Sequence, residues 1–155
     1  MKKLLARQLK PLLLCYALGC EPVQGRTKMQ KLIFLMQQKL ESQSNMYLYQ
    51  AKDYGPFSWQ LASDIDYLRA NGYITEKKRI RSDGGERYIL KITEKGQEFV
   101  ARILKDSRWG PQFRNQLDLL ERLKNENNSK NLNQLLREVY SKYPKYAVHS
   151  KAQLY

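Results

Sequence analysis

The densest run of chemistry-bearing side chains is Lys77, Lys78, Arg79, Arg81 and Arg87, five cations within eleven positions that bracket Ser82-Asp83-Gly84-Gly85. Cations on either side of a flexible tip suit phosphate oxygens, and each phosphate they neutralise releases counterions and makes affinity salt-dependent. The same pattern protects an exposed edge hairpin from aggregation; phosphate contact is the expectation carried forward. A second group, Arg26, Lys28 and Lys31, opens an apolar-periodic stretch. There a helix N-terminus would add its own N–H groups toward an anion, against the alternative of a solvated helix face. A third group follows Tyr54-Gly55-Pro56-Phe57: Ser58, Gln60 and Arg69, of which Gln60 suits adenine and Arg69 suits guanine or phosphate. Asp64 and Asp66 lie on the same stretch, make it net negative and would repel a phosphate backbone. Trp59, Tyr47, Tyr49 and Tyr67 are suited to stack on unpaired bases, to anchor a protein partner or to fill the core. Trp59 and Tyr67 are the candidates for partner binding.

Catalytic chemistry finds little footing. Glu94 with Glu98, and Asp64 with Asp66, are carboxylate pairs suited to solvated helix faces, and no spacing gathers several carboxylates on a metal. The single histidine, His149, stands near the C-terminus without a partner. Cys15 and Cys20 have no second pair to complete a metal site and read as reduced thiols of a cytosolic protein. Gly84-Gly85 lacks the Lys-Ser or Lys-Thr of a phosphate-binding loop. The expectation is a protein that is not an enzyme, with no catalytic residue, no metal and no cofactor.

Charge points to the partner. Lys and Arg number 28 against 15 Asp and Glu, a net charge of +13 over 155 residues. The excess is +6 in residues 1–50, +1 in 51–100 and +6 in 101–155. Such a surplus favours polyanions, nucleic acid above all and double-stranded DNA first; a basic surface with no specific partner is the plainer reading. Met1-Lys2-Lys3 followed by apolar residues and Ala17-Leu18-Gly19-Cys20 imitates a lipoprotein signal, but Arg7, Lys10 and Pro11 interrupt it. The uncharged apolar run from Leu12 to Leu18 is at the short edge of a signal core and far below a membrane span. A cytoplasmic protein without membrane contact is expected.

These side chains need elements to position them. Pro11 to Leu18 reads as a core helix ending at Gly19. Thr27 and Gln30 form a capping-box pattern before a helix from Lys28 to about Leu40, with Met29, Leu32, Ile33, Met36 and Leu40 on its buried face and Lys28, Lys31 and Lys39 pointing elsewhere. Met46 to Ala51 reads as a short strand, and Tyr54 to Ser58 as a turn aiming a third helix with Phe57, Leu61, Ile65 and Leu68 inward and Asn71-Gly72 as its cap. Tyr73 to Arg81 and Glu86 to Ile92 are strands joined by the Asp-Gly turn. Thr93 caps a further helix, and helices follow from Trp109 to about Asn125 and from Leu132 to Tyr140, separated by a polar loop over Asn125 to Asn131. The expected fold is mainly α with a small β-hairpin: a winged helix-turn-helix followed by extra C-terminal helices. It divides into a basic N-terminal arm (1–10), the winged-helix domain (11–93), a C-terminal helical extension (94–145) and a loose basic tail (146–155). The extension suits a homodimer interface.

Gly25-Arg26-Thr27-Lys28-Met29-Gln30-Lys31-Leu32-Ile33-Phe34-Leu35, Tyr54-Gly55-Pro56-Phe57-Ser58, then Leu61, Asp64, Leu68 and Gly72-Tyr73-Ile74, resemble the YwgA-like winged-helix proteins. Leu135 to Tyr140 and Lys142-Tyr143-Pro144 are similar to their C-terminal end. The Leu-Ile-Phe helix and the Tyr-Gly-Pro segment are similar to the Panacea (SocA-like) antitoxin domains as well, so the resemblance covers most of residues 11–145. It implies a winged-helix fold and, from the Panacea side, a protein partner in a toxin–antitoxin setting; it implies no catalytic residue. Two functions follow as expectations: a nucleic-acid-binding regulator or accessory subunit that lays a basic wing on the phosphate backbone, and a protein-interaction module of antitoxin or mobile-element type.

Overall fold

The computed structural model describes residues 4–40, 46–127 and 130–151. Residues 1–3 of the expected arm, 128–129 of the expected polar loop and 152–155 of the expected tail lie outside that set. The described chain is mainly helical, 61%, with six helices and two small antiparallel hairpins. The order is α1 (Leu9–Cys20), α2 (Arg26–Lys39), β1 (Gln50–Lys52), β2 (Gly55–Phe57), α3 (Trp59–Ala70), β3 (Ile74–Ile80), β4 (Glu86–Ile92), α4 (Glu94–Lys105), α5 (Gly110–Asn127) and α6 (Leu132–Lys142). Among these residues no helix is long and apolar enough to cross a membrane.

α1 and α2 form the middle of the core. Leu12, Leu13, Leu14 and Cys15 of α1 are buried on successive positions, as are Leu32 to Met36 of α2. A helix that is apolar on all sides must be covered on all sides, and the later helices do this. α1 leaves helical geometry at Ala17, and Leu18, Gly19 and Cys20 are left-handed. The carbonyls freed there are taken by one buried ammonium: Lys124 Nζ, from α5, donates to Leu14 O at 2.7 Å, Ala17 O at 2.8 Å and Glu21 O.

The two hairpins differ in origin. β3 and β4 pair in the register Ile74↔Ile92 to Ile80↔Glu86. Their connection closes with Arg81 N donating to Gly85 O and Gly84 N to Arg81 O; Gly84 supplies a φ of 85° but Asp83 does not share it, so the tip is a three-residue loop with one left-handed glycine. Val23 bridges Leu90 on the far edge of β4, with backbone bonds of 2.9 Å both ways. The other hairpin corrects the expectation for Tyr54 to Ser58. Gly55-Pro56-Phe57 is a strand, not a turn, paired with Gln50 to Lys52. Gly55 is required by its seat: at φ 86° a Cβ would lie 3.1 Å from Tyr140 Cε1 and 3.2 Å from Leu136 Cδ2. Ser58 then caps α3, its Oγ accepting from Leu61 N at 3.2 Å.

Two expected appendages are part of the body. Residues 6–8 form a 3-10 turn that enters α1 directly, and Arg7 Nε and Gln8 Nε2 donate to Asp64 at 2.8 and 3.1 Å. Residues 4–10 are therefore docked rather than an arm. Pro144–Ala147 form a second 3-10 turn. Its Tyr146 ring packs 4.9 Å from Phe34, and Lys151 N donates to Asp53 O at 2.7 Å, so the chain is held as far as Lys151. The expected division at residue 93 does not separate two cores either. Phe113, Leu117, Leu120, Leu123, Leu135 and Val139 belong to the same buried cluster as α1 and α2.

Candidate nucleic-acid interface

Side chains alternate across an antiparallel ladder. Ile74, Glu76, Lys78 and Ile80 share one face of the long hairpin with Ile92, Leu90, Tyr88 and Glu86. Ile74, Leu90 and Ile92 are buried, so this face meets the core at its base. The opposite face carries Thr75, Lys77 and Arg79 on β3, and Lys91, Ile89 and Arg87 on β4. Lys77, Arg79, Arg87 and Lys91 are all exposed. Among the described residues no carboxylate lies within ion-pair distance of any of them. Arg79 and Arg87 are direct cross-strand partners, and Arg87 Nη1 donates to the side chain of Gln24. The hairpin thus presents an outward face of four cations and no acid.

The other two wing candidates are already engaged. Lys78 Nζ lies 2.6 Å from Glu86, which raises its pKa, and Arg81 Nε lies 3.4 Å from Asp83 at the tip. Lys91 escaped the sequence reading: the Asp-Gly pair marks a turn but not its register, which the three-residue loop Ser82 to Gly84 sets so that Lys91 lies beside Thr75 and on the face of Lys77.

The second basic group divides. Arg26 is bound by Glu76 at 2.7 Å and Asp66 at 2.7 Å, and its pKa is raised mainly by the bond to Glu76. Lys28 is half-buried and donates to the Lys130 carbonyl at 3.3 Å; burial first and the nearby Arg87 charge second lower its pKa, with Glu21 partly offsetting them. Lys31 is only 2% exposed and donates to Pro56 O at 2.9 Å. It contradicts the expectation of a solvent-facing, phosphate-binding lysine: the β1–β2 hairpin covers it, and desolvation lowers its ammonium to about 7.

The third group changes most. Ser58 is 0% exposed and consumed as a helix cap, which removes it from the candidate contacts. Gln60 is half-buried and accepts from Leu48 N at 3.0 Å. Arg69 pairs with Glu76 at 3.3 Å. Both acids that told against this helix are already paired, Asp64 in the interior and Asp66 at the surface. Asp64 is 2% exposed and accepts from Arg7, Gln8 and the Tyr47 hydroxyl at 2.7 Å, while Asp66 faces Arg26. Of the four aromatics, Tyr47 is buried, Tyr49 and Tyr67 are half-buried, and Trp59 is 61% exposed. Trp59 stands edge-on to Phe57 at 4.9 Å, with the Lys52 ammonium 4.2 Å from its ring centroid.

No family model, no curated protein and no solved structure matches the chain.

Proposed function

We propose that this chain is a winged-helix protein, not an enzyme, that binds nucleic acid, double-stranded DNA first, through the outer face of its long hairpin. One observation carries the reading: Lys77, Arg79, Arg87 and Lys91 line one face of the β3–β4 ladder without an intervening acid. A row of unpaired cations on a protruding two-stranded element follows a phosphate backbone and gives binding that is electrostatic and salt-dependent. The order α1, α2, α3, β3, β4 supports the winged-helix assignment, as does the Val23–Leu90 bridge tying the wing to the α1–α2 connection; the β1–β2 hairpin is an insertion between α2 and α3. The α3 candidates are spent on capping, backbone bonding and ion pairing, so this reading gives the wing the leading role and base reading by α3 a small one.

The test is a fluorescence anisotropy titration against labelled random-sequence duplex DNA at low and near-physiological salt. Micromolar or tighter binding that falls steeply with salt is expected. Absence of binding at low salt would overturn the reading and leave the antitoxin-like protein-interaction module, whose surface would be the exposed Leu48, Tyr54 and Trp59.

A further inference from the structure

The wing's outer face continues, through Arg87, into a second basic surface. A cleft of about 380 Å³ lies between the start of α2, the tip of the hairpin and the start of α6. Its walls hold Arg26, Lys28, Arg81, Arg87 and Lys130 against one acid, Glu86, which is already paired with Lys78. Arg26, Arg81 and Lys130 are neutralised by Glu76 and Asp66, by Asp83 and by Glu138. Lys28 and Arg87 are not in ion pairs with any described residue, and each lowers the cost of an anion between them. Their mutual repulsion, part of what lowers Lys28, is relieved when a phosphate enters.

This cleft does not end at α2. A second depression of about 200 Å³ shares Arg26 and Thr27 with it and continues past Lys52, Asp53 and Tyr54 to Phe57; its one acid, Asp53, lies 3.3 Å from the Lys151 ammonium. A third, of about 250 Å³, shares Phe57 and is floored by Leu48, Trp59 and Gln60. Shared walls place the three in series. One end is cationic and the other is an aromatic shelf, with Trp59 61% exposed and Tyr54 47% exposed between the ends. Lys52, over the rings of Trp59 and Phe57 at 4.2 and 5.3 Å, keeps positive charge along the shelf.

A duplex has no use for the shelf, because its bases are already stacked on one another. An unpaired strand offers both what the cationic end takes, phosphate, and what the aromatic end takes, a free base face. We propose that this groove holds an unpaired nucleic-acid strand, with phosphate at Lys28 and Arg87 and a base stacked on Trp59. The proposal rests on the nucleic-acid reading above and names the strand class that this second surface accepts.

The experiment compares a blunt duplex, the same duplex carrying an overhang of about six nucleotides of DNA or of RNA, and the free single strand. The overhang is expected to tighten binding by about tenfold, the equivalent of one stacked base. Trp59→Ala and Lys28→Gln should each remove most of that gain and leave the blunt duplex unchanged, and Trp59→Phe should restore it by keeping a ring. In a Trp109→Phe background the single strand should quench Trp59 fluorescence. Equal affinity for blunt and overhung duplexes, with no effect of Trp59→Ala, would overturn the groove while leaving the wing. Binding of the single strand without the blunt duplex would uphold the groove and overturn the wing, and binding of none of them would overturn both.

Discussion

Lys31 holds its amine in the core, 2.9 Å from the Pro56 carbonyl, and burial lowers its pKa from the usual 10.5 to about 7. The sign of the linkage follows. Below pH 7 the folded state must carry a buried charge, so the cost of Lys31 is fully present. Between about 7 and 10.5 the unfolded chain binds more protons than the folded one and stability rises with pH; above 10.5 both forms are neutral and the cost is gone. Lys31→Met loses the bond to Pro56 but also loses this dependence. Its stability relative to the native chain should be highest near pH 6.5 and should decline steadily toward pH 9.5, read as the gap between the two denaturant midpoints. A constant gap would show that Lys31 is not desolvated in solution. This residue also shows what the sequence withholds: a lysine in a helix pattern reads as solvent-facing, and only the later docking of β1–β2 encloses it. Asp64 is the same case from the other side. Its partner Arg7 is 57 positions away, and no local pattern announces an acid turned inward.

The long hairpin was the most legible element, because Asp-Gly between two β-rich runs is a local signal that marks a turn. The β1–β2 hairpin was not, because Gly-Pro reads as a turn and its strand character comes from the close seat of Gly55 against Leu136 and Tyr140. If the long hairpin binds nucleic acid as proposed, stability and binding pull in opposite directions within it. Arg79 faces Arg87 across the ladder, and like charges opposite each other destabilise a sheet. Arg87→Glu would turn that pair into an ion pair. We expect stability to be unchanged or raised by about 0.5 kcal/mol, measured by denaturant unfolding, while duplex affinity falls by about tenfold or more. A variant that loses stability and affinity together would mean that the bond from Arg87 to Gln24 matters more than the repulsion.

At the scale of the whole molecule, the C-terminal helices are structural. Their sequence pattern is amphipathic, and Phe113, Leu117, Leu120 and Leu123 of α5 and Leu135, Leu136 and Val139 of α6 are buried, but the pattern did not say whether that face meets a second copy or the same chain; the shared core answers that it meets α1 and α2. Lys124 is the clearest link, since its ammonium satisfies three carbonyls where α1 breaks. Lys124→Ala leaves those carbonyls buried without a donor and should cost about 3 kcal/mol, and a chain ending at Lys105 should lose cooperative unfolding altogether by circular dichroism. Full cooperativity in the truncated chain would restore the picture of a separable extension.

The most direct test of the central claim is the salt dependence of duplex binding for the native chain and for the Lys77→Ala, Arg79→Ala, Arg87→Ala triple variant. Each phosphate contact contributes about 0.9 to the slope of log affinity against log salt. The triple variant should show a slope shallower by about 2 to 3, together with weaker binding at low salt and an unchanged fold. The same slope and affinity in both proteins would contradict the claim and take the outer face of the β3–β4 hairpin out of nucleic-acid binding.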